Sequence, residues 1–166
     1  RDYHFNKVKT FHHMMDERTQ EEPRAWDLEG ATHRAGFKIE ELVEFVRAAS
    51  PSEEDFGQAL SQLHQALDKA ADKVAKKTPA QQDLIGQVDA LIDTLYFTYG
   101  SFVLMGVDPE RIFDIVHQAN MGKIFPDGKA HFDPVTHKIL KPDDWEEKYA
   151  PEPAIKKELQ RQLKAY

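Results

Sequence analysis

From Leu84 to Gly106 the chain is almost entirely apolar, with a few Thr, Tyr and Gly residues besides Gln87 and Ser101, and its only charged side chains are Asp89 and Asp93. The run reads as a buried helix, and the two aspartates sit one turn apart on one face of it. A buried carboxylate without a partner costs several kcal/mol or neutralises itself through a raised pKa. With no Lys or Arg in the run, the pair asks for an external cation. A second acidic group lies upstream, in Lys38-Ile39-Glu40-Glu41-Leu42-Val43-Glu44-Phe45. Two helices that each carry a carboxylate pair are the main sequence clue to chemistry.

Length and composition narrow the rest. A chain of 166 residues with 40% hydrophobic content is expected to form one domain with a real core. A formal net charge of −7 argues against a sequence-independent grip on a nucleic-acid polymer, which needs a basic surface. Cysteine is absent, which excludes disulfides, thiolate metal sites, Fe–S clusters and a Cys nucleophile. No segment reads as a signal peptide, and two aspartates mid-run make the apolar stretch a core helix rather than a membrane span. The polar start, Arg1-Asp2-Tyr3-His4, lacks Met and is expected to be trimmed. The expectation is a soluble, cytoplasmic protein that contacts no membrane.

Hydrophobic spacing predicts five main helices. The first runs from about Tyr3 to Asp16, and a loop follows at Gln20 to Arg24. The second starts at an Asp27 N-cap and continues to about Ala49. Ser50-Pro51-Ser52 stops it, and Ser52 caps a third helix whose first turn is acidic and whose end is Lys76-Lys77. The fourth spans about Pro79 to Met105, with Leu84, Val88, Leu91, Leu95 and Phe102 as its core stripe, and Gly106-Val107 ends it. The fifth is expected to begin at Asp108 as cap with Pro109 in first position. Beyond a turn at Phe125 to Lys129, residues 130–140 suit a short hairpin, and a polar helix from about Glu152 to Ala165 closes the chain. The expected fold class is all-α, a helical bundle with a small C-terminal appendage.

Packing the second helix beside the fourth would bring four or five carboxylates to one cleft. A donor set of hard oxygens, without His or Cys, selects Mg²⁺ or Mn²⁺ over zinc. A site of that kind supports attack of water on a phosphoric anhydride. Taken alone, Glu40, Glu41 and Glu44 also fit a plain solvated helix face. No Glu-x-x-His pair stands on either acidic helix, so a ferritin-like di-iron centre is disfavoured. His117 reads as a packed or capping histidine. Gly-rich phosphate loops, serine nucleophile elbows and HExxH motifs are missing.

The ordered blocks resemble the all-α nucleoside triphosphate pyrophosphohydrolases of the MazG-like superfamily, in particular its phosphoribosyl-ATP pyrophosphohydrolase-like branch. They are Arg34 ahead of Glu40-Glu41-x-x-Glu44, then Asp89-x-x-x-Asp93-x-x-Tyr96 with Gly100, then Gly106-Val107-Asp108. Val116-His117-Gln118-Ala119-Asn120-Met121-Gly122-Lys123 and Asp127-Gly128-Lys129 with Lys138-Ile139-Leu140-Lys141-Pro142 complete the series. The family pattern is ExxE followed by ExxD. Glu41, Glu44 and Asp93 match it, whereas Ala90 stands at the third acidic position and Asp89, one residue earlier, is the substitute. The resemblance implies Mg²⁺-dependent hydrolysis of an NTP or dNTP to the monophosphate and pyrophosphate, as in nucleotide-pool house-cleaning. It also implies a homodimer, or a dimer of dimers, with sites at the subunit interface.

Under that resemblance Glu41, Glu44, Asp89 and Asp93 ligate metal, and Glu40 orients or deprotonates the attacking water or joins the ligands. Glu40 and Glu41 are thus the catalytic candidates. Asn120 and Lys123 are candidates for binding the polyphosphate, with Lys129, Lys138 and Lys141 behind them. Lys123 equally fits a surface lysine at a helix end. Arg34 either clamps phosphate or pairs with Glu40 or Glu41, and Tyr96 either lines the base or sugar pocket or is a core tyrosine. A non-catalytic acidic adaptor of the same fold is the competing reading.

Overall fold

A computed structural model describes residues 3–15, 19–79 and 82–165. Among these it forms α1 (Tyr3–Met15), α2 (Leu28–Ala49), α3 (Glu53–Val74), α4 (Leu84–Met105), α5 (Glu110–Met121), α6 (Trp145–Tyr149) and α7 (Glu152–Leu163). The architecture is all-helical, as expected. The chain divides into two compact units, Arg24–Leu91 and Arg1–Pro23 with Ile92–Tyr166, and the division falls inside α4.

In the first unit, local sequence sets the helix ends. Asp27 Oδ1 accepts the Gly30 N–H at 2.7 Å and caps α2. Gly30 has no alternative, because a Cβ there would lie 2.6 Å from the Trp26 ring. Ser52 Oγ accepts the Asp55 N–H at 3.1 Å and caps α3, whose first turn holds Glu53, Glu54 and Asp55. Arg47 pairs with Glu53 and lies 4.8 Å from the Phe56 ring centroid, which closes the α2–α3 turn. The expected Lys76-Lys77 end of α3 lies beyond Val74.

The start of α4 corrects the sequence reading. Pro79 resembles a first helical residue, yet α4 begins at Leu84, where Asp83 Oδ1 accepts the Gly86 N–H at 3.0 Å. Gln87 then reaches back to Trp26. Its Oε1 accepts the Trp26 N–H at 2.8 Å, and its Nε2 donates to the Trp26 carbonyl at 3.1 Å.

In the second unit, α1 packs on α5 and α5 on α7. The His4 ring stacks on Phe113 at 4.1 Å, and Lys7 pairs with Asp114. The expected α1 end at Asp16 lies outside the described residues. Gly106 turns the chain with φ +71°, and Val107 N–H returns to the Phe102 carbonyl at 3.0 Å. Helix α5 starts at Glu110 with Pro109 as its N-cap, so the expected cap and first position each lie one residue early, and the Asp108 carboxylate accepts the Glu110 N–H at 3.0 Å. Gln162 of α7 repeats the Gln87 clasp on Asp108, accepting its N–H at 3.0 Å and donating to its carbonyl at 2.9 Å.

The appendage is held by single contacts. The turn closes through Gly128 N–H to the Phe125 carbonyl at 2.9 Å, with Gly128 at φ +78°. The expected hairpin shrinks to one antiparallel pair, Phe132 with Ile139, because Asp133 folds its own carboxylate onto the Val135 and Thr136 N–H groups. Helix α6 was not expected. Its Trp145 is buried, and the indole N–H donates to the Ala119 carbonyl at 2.8 Å.

Burial departs most from expectation. Among the described residues only Ala119, Trp145 and Glu158 are buried. Helix α4, read as a core helix, buries none of its residues: Val88, Leu91 and Leu95 are about half exposed, and Leu104 is 91% exposed. An apolar pattern reports that a face must be covered, and among the described residues that of α4 stays exposed.

Candidate active site

Three helices and one turn carry the candidate residues. On α2, Glu40, Glu41 and Glu44 are solvent-exposed and occupy one stretch of the helix, with Arg34 half-buried a turn and a half earlier. Arg34 lies 5.6 Å over the Phe37 ring rather than in an ion pair with Glu40. Its carbonyl accepts the Lys38 ammonium at 3.3 Å. Partial burial, then the Arg34 charge, holds that ammonium below the usual lysine range.

On α4, Asp89 and Asp93 are both exposed, and Tyr96 is 77% exposed rather than a core tyrosine. Glu40, Glu44, Asp89 and Asp93 form no hydrogen bond or ion pair with any described residue.

Asn120 is the penultimate residue of α5, and the Lys123 N–H donates to its carbonyl at 3.1 Å. Both side chains are half-buried. The Lys123 ammonium lies 5.8 Å from the Trp145 ring centroid, and the Lys141 ammonium lies 4.3 Å from the same centroid. His117, on the same helix, has its pKa pushed down by burial and then by the Lys7 charge, as suits a packed histidine.

Among the described residues, no three His, Asp or Glu side chains lie close enough to share one metal ion. Within the first unit the reason is helix geometry. The Gln87–Trp26 clasp ties the beginnings of α4 and α2 together, and Asp89 follows Gln87 by two residues. At 1.5 Å per residue, Glu41 and Glu44 stand roughly 20 and 24 Å along α2 from its start. Helices tied at their beginnings keep such residues apart. In kind, the ligand set fits Mg²⁺ or Mn²⁺, being charged and made of oxygen only. In position, Asp89 stands far from Glu41 and Glu44 within the first unit.

The chain has counterparts among known proteins. The sequence model of the phosphoribosyl-ATP pyrophosphohydrolase family matches residues 8–120. The chain belongs to this family. Among solved structures it is similar to a protein from Exiguobacterium sp. 255-15 described as a "putative NTP pyrophosphohydrolase", with 39% identity and a TM-score of 0.90. That likeness covers 99% of this chain and 98% of the other. No protein of curated function matches the chain. Family membership makes the chain a pyrophosphohydrolase by class, a hydrolase of phosphoric anhydrides. The family match holds α2, α4 and α5 through Asn120. Lys123, Lys141 and Trp145 lie beyond it, in the part shared with the Exiguobacterium protein.

Local sequence predicted where these residues sit along the chain. It missed Gln87 and Gln162, whose amides tie distant backbone, and it missed Trp145. A buried tryptophan must place its indole N–H on an acceptor, and that requirement was the available signal.

Proposed function

We propose that the protein hydrolyses a nucleoside triphosphate, NTP or dNTP, to the monophosphate and pyrophosphate, with Mg²⁺ held by Glu41, Glu44, Asp89 and Asp93. Membership in the pyrophosphohydrolase family carries this reading, and the unpartnered carboxylates of Glu44, Asp89 and Asp93 support it. Mg²⁺, or Mn²⁺, supplies charge for the phosphates and acidifies water. Glu40 takes a proton as a water oxygen bonds to phosphorus of the α–β anhydride, and the bridging oxygen leaves with pyrophosphate. Asn120 and Lys123 hold the phosphate tail, Arg34 clamps it, and Tyr96 lines the base or sugar pocket. Glu41 lies beside Glu40 and orients the same water.

A second copy of the chain completes the site in this proposal. The apolar face of α4, with Ile92, Phe97, Val103 and Leu104 at least half exposed, is the surface that the second copy covers. A homodimer, or a dimer of dimers, then brings the carboxylates together at the subunit interface. Among the described residues no helix is long and apolar enough to cross a membrane. A role in clearing nucleotides from the cytoplasmic pool goes with this substrate class. The test is pyrophosphate release from a nucleotide panel with Mg²⁺ and with EDTA.

A further inference from the structure

Two cations of different origin meet on one aromatic ring. Lys123 follows α5, Lys141 belongs to the appendage, and 18 positions separate them in sequence. Trp145 brings them together. Its indole N–H is fixed on the Ala119 carbonyl at 2.8 Å, next to Asn120, and the residue is 6% exposed. The Lys141 and Lys123 ammonium groups lie 4.3 Å and 5.8 Å from its centroid. They are therefore within about 10 Å of each other, a gap that a polyphosphate tail spans. Lys141 has no ion-pair partner among the described residues. An indole face steadies a cation without neutralising it, so the charge stays available to an anion.

We propose that Lys141 is a substrate-binding residue that grips the polyphosphate tail together with Lys123, and that Trp145 is the positioning residue that brings the two side by side. The proposal rests on the pyrophosphohydrolase reading and adds to it a group from outside the segment that the family shares. It also explains what the appendage is for, since its pairing of Phe132 with Ile139 and its turn at Phe125 deliver Lys141 to the end of α5. When an anion draws the ammonium off the ring, the indole senses it.

The experiment uses the full chain with Trp26→Phe, which leaves Trp145 as the one tryptophan. The clasp on Trp26 involves only its backbone, so it survives the change. Inorganic tripolyphosphate is titrated with and without Mg²⁺ while Trp145 emission is read. The expected result is a saturable change that Lys141→Met loses and Lys141→Arg keeps, with the melting temperature of Lys141→Met unchanged. In steady-state hydrolysis, Lys141→Met should raise KM about tenfold with kcat within about twofold. An identical tripolyphosphate response in Lys141→Met, or an unchanged KM, overturns the proposal. If tripolyphosphate binds through Lys141 but no nucleotide is hydrolysed, the anion site stands and the hydrolase reading fails.

Discussion

Gln87 grips the backbone of Trp26 with both ends of its amide, accepting the N–H at 2.8 Å and donating to the carbonyl at 3.1 Å. Gln162 does the same to Asp108 in the other unit. In each case a helical side chain pins the entry of another helix, a contact that neither hydrophobic pattern nor capping preference provides. Gln87→Leu removes both bonds. Each is worth about 0.5 to 1.5 kcal/mol net, and exposure to water places the loss near the low end, about 1 to 2 kcal/mol in total. A lowered melting temperature for Gln87→Leu is the expected outcome, and an unchanged one would contradict it.

Trp145 joins the appendage to α5 by a single buried hydrogen bond. Trp145→Phe keeps most of the ring and strands the Ala119 carbonyl, which costs about 1 to 3 kcal/mol. Trp145→Ala adds a cavity and costs about 3 to 5 kcal/mol. Chemical denaturation should rank the two variants in that order. Equal losses would mean that the hydrogen bond contributes nothing.

Glu158 accepts hydrogen bonds from Arg161 and then Gln162, and they hold its carboxyl at about 2, against an ordinary 4.5. The folded-state pKa is lowered, so the contribution to stability is complete above pH 4.5 and is lost as pH falls towards 2. Glu158→Gln lacks this dependence. The stability difference between wild type and Glu158→Gln should therefore shrink steadily across that window, as followed by melting temperature against pH. A difference that stays constant with pH would contradict the account.

The apolar face of α4 predicts the oligomeric state. Phe97, 77% exposed in the single chain, should be covered in the dimer. Sedimentation should give at least twice 19.1 kDa for the wild type and a smaller species, prone to aggregation, for Phe97→Asp. A wild-type monomer would contradict the proposed second copy.

Short-range signals were the legible ones. Asp27 and Ser52 cap the helices they were expected to cap, because a cap depends on residues three apart. Pro79 misled the start of α4, where Asp83 is the residue that bonds the first turn. At five residues α6 was too short to leave a periodic pattern. Val88, Leu91 and Leu95 state a need for cover without saying what covers them, and they are about half exposed in this chain. The acidic pairs were likewise visible in sequence, whereas their spatial relation depends on packing that a linear pattern does not encode.

In the proposed reaction, carboxylates on α2 and α4 hold Mg²⁺ for anhydride hydrolysis. The most direct test measures pyrophosphate and phosphate released from the common ribo- and deoxynucleoside triphosphates and dUTP, for wild type, Glu44→Gln and Asp93→Asn, with Mg²⁺ and with EDTA. The account predicts pyrophosphate release that EDTA abolishes and that each variant lowers at least about 100-fold with helicity intact. Folded wild-type protein that releases nothing, or releases pyrophosphate as fast in Glu44→Gln, would contradict it.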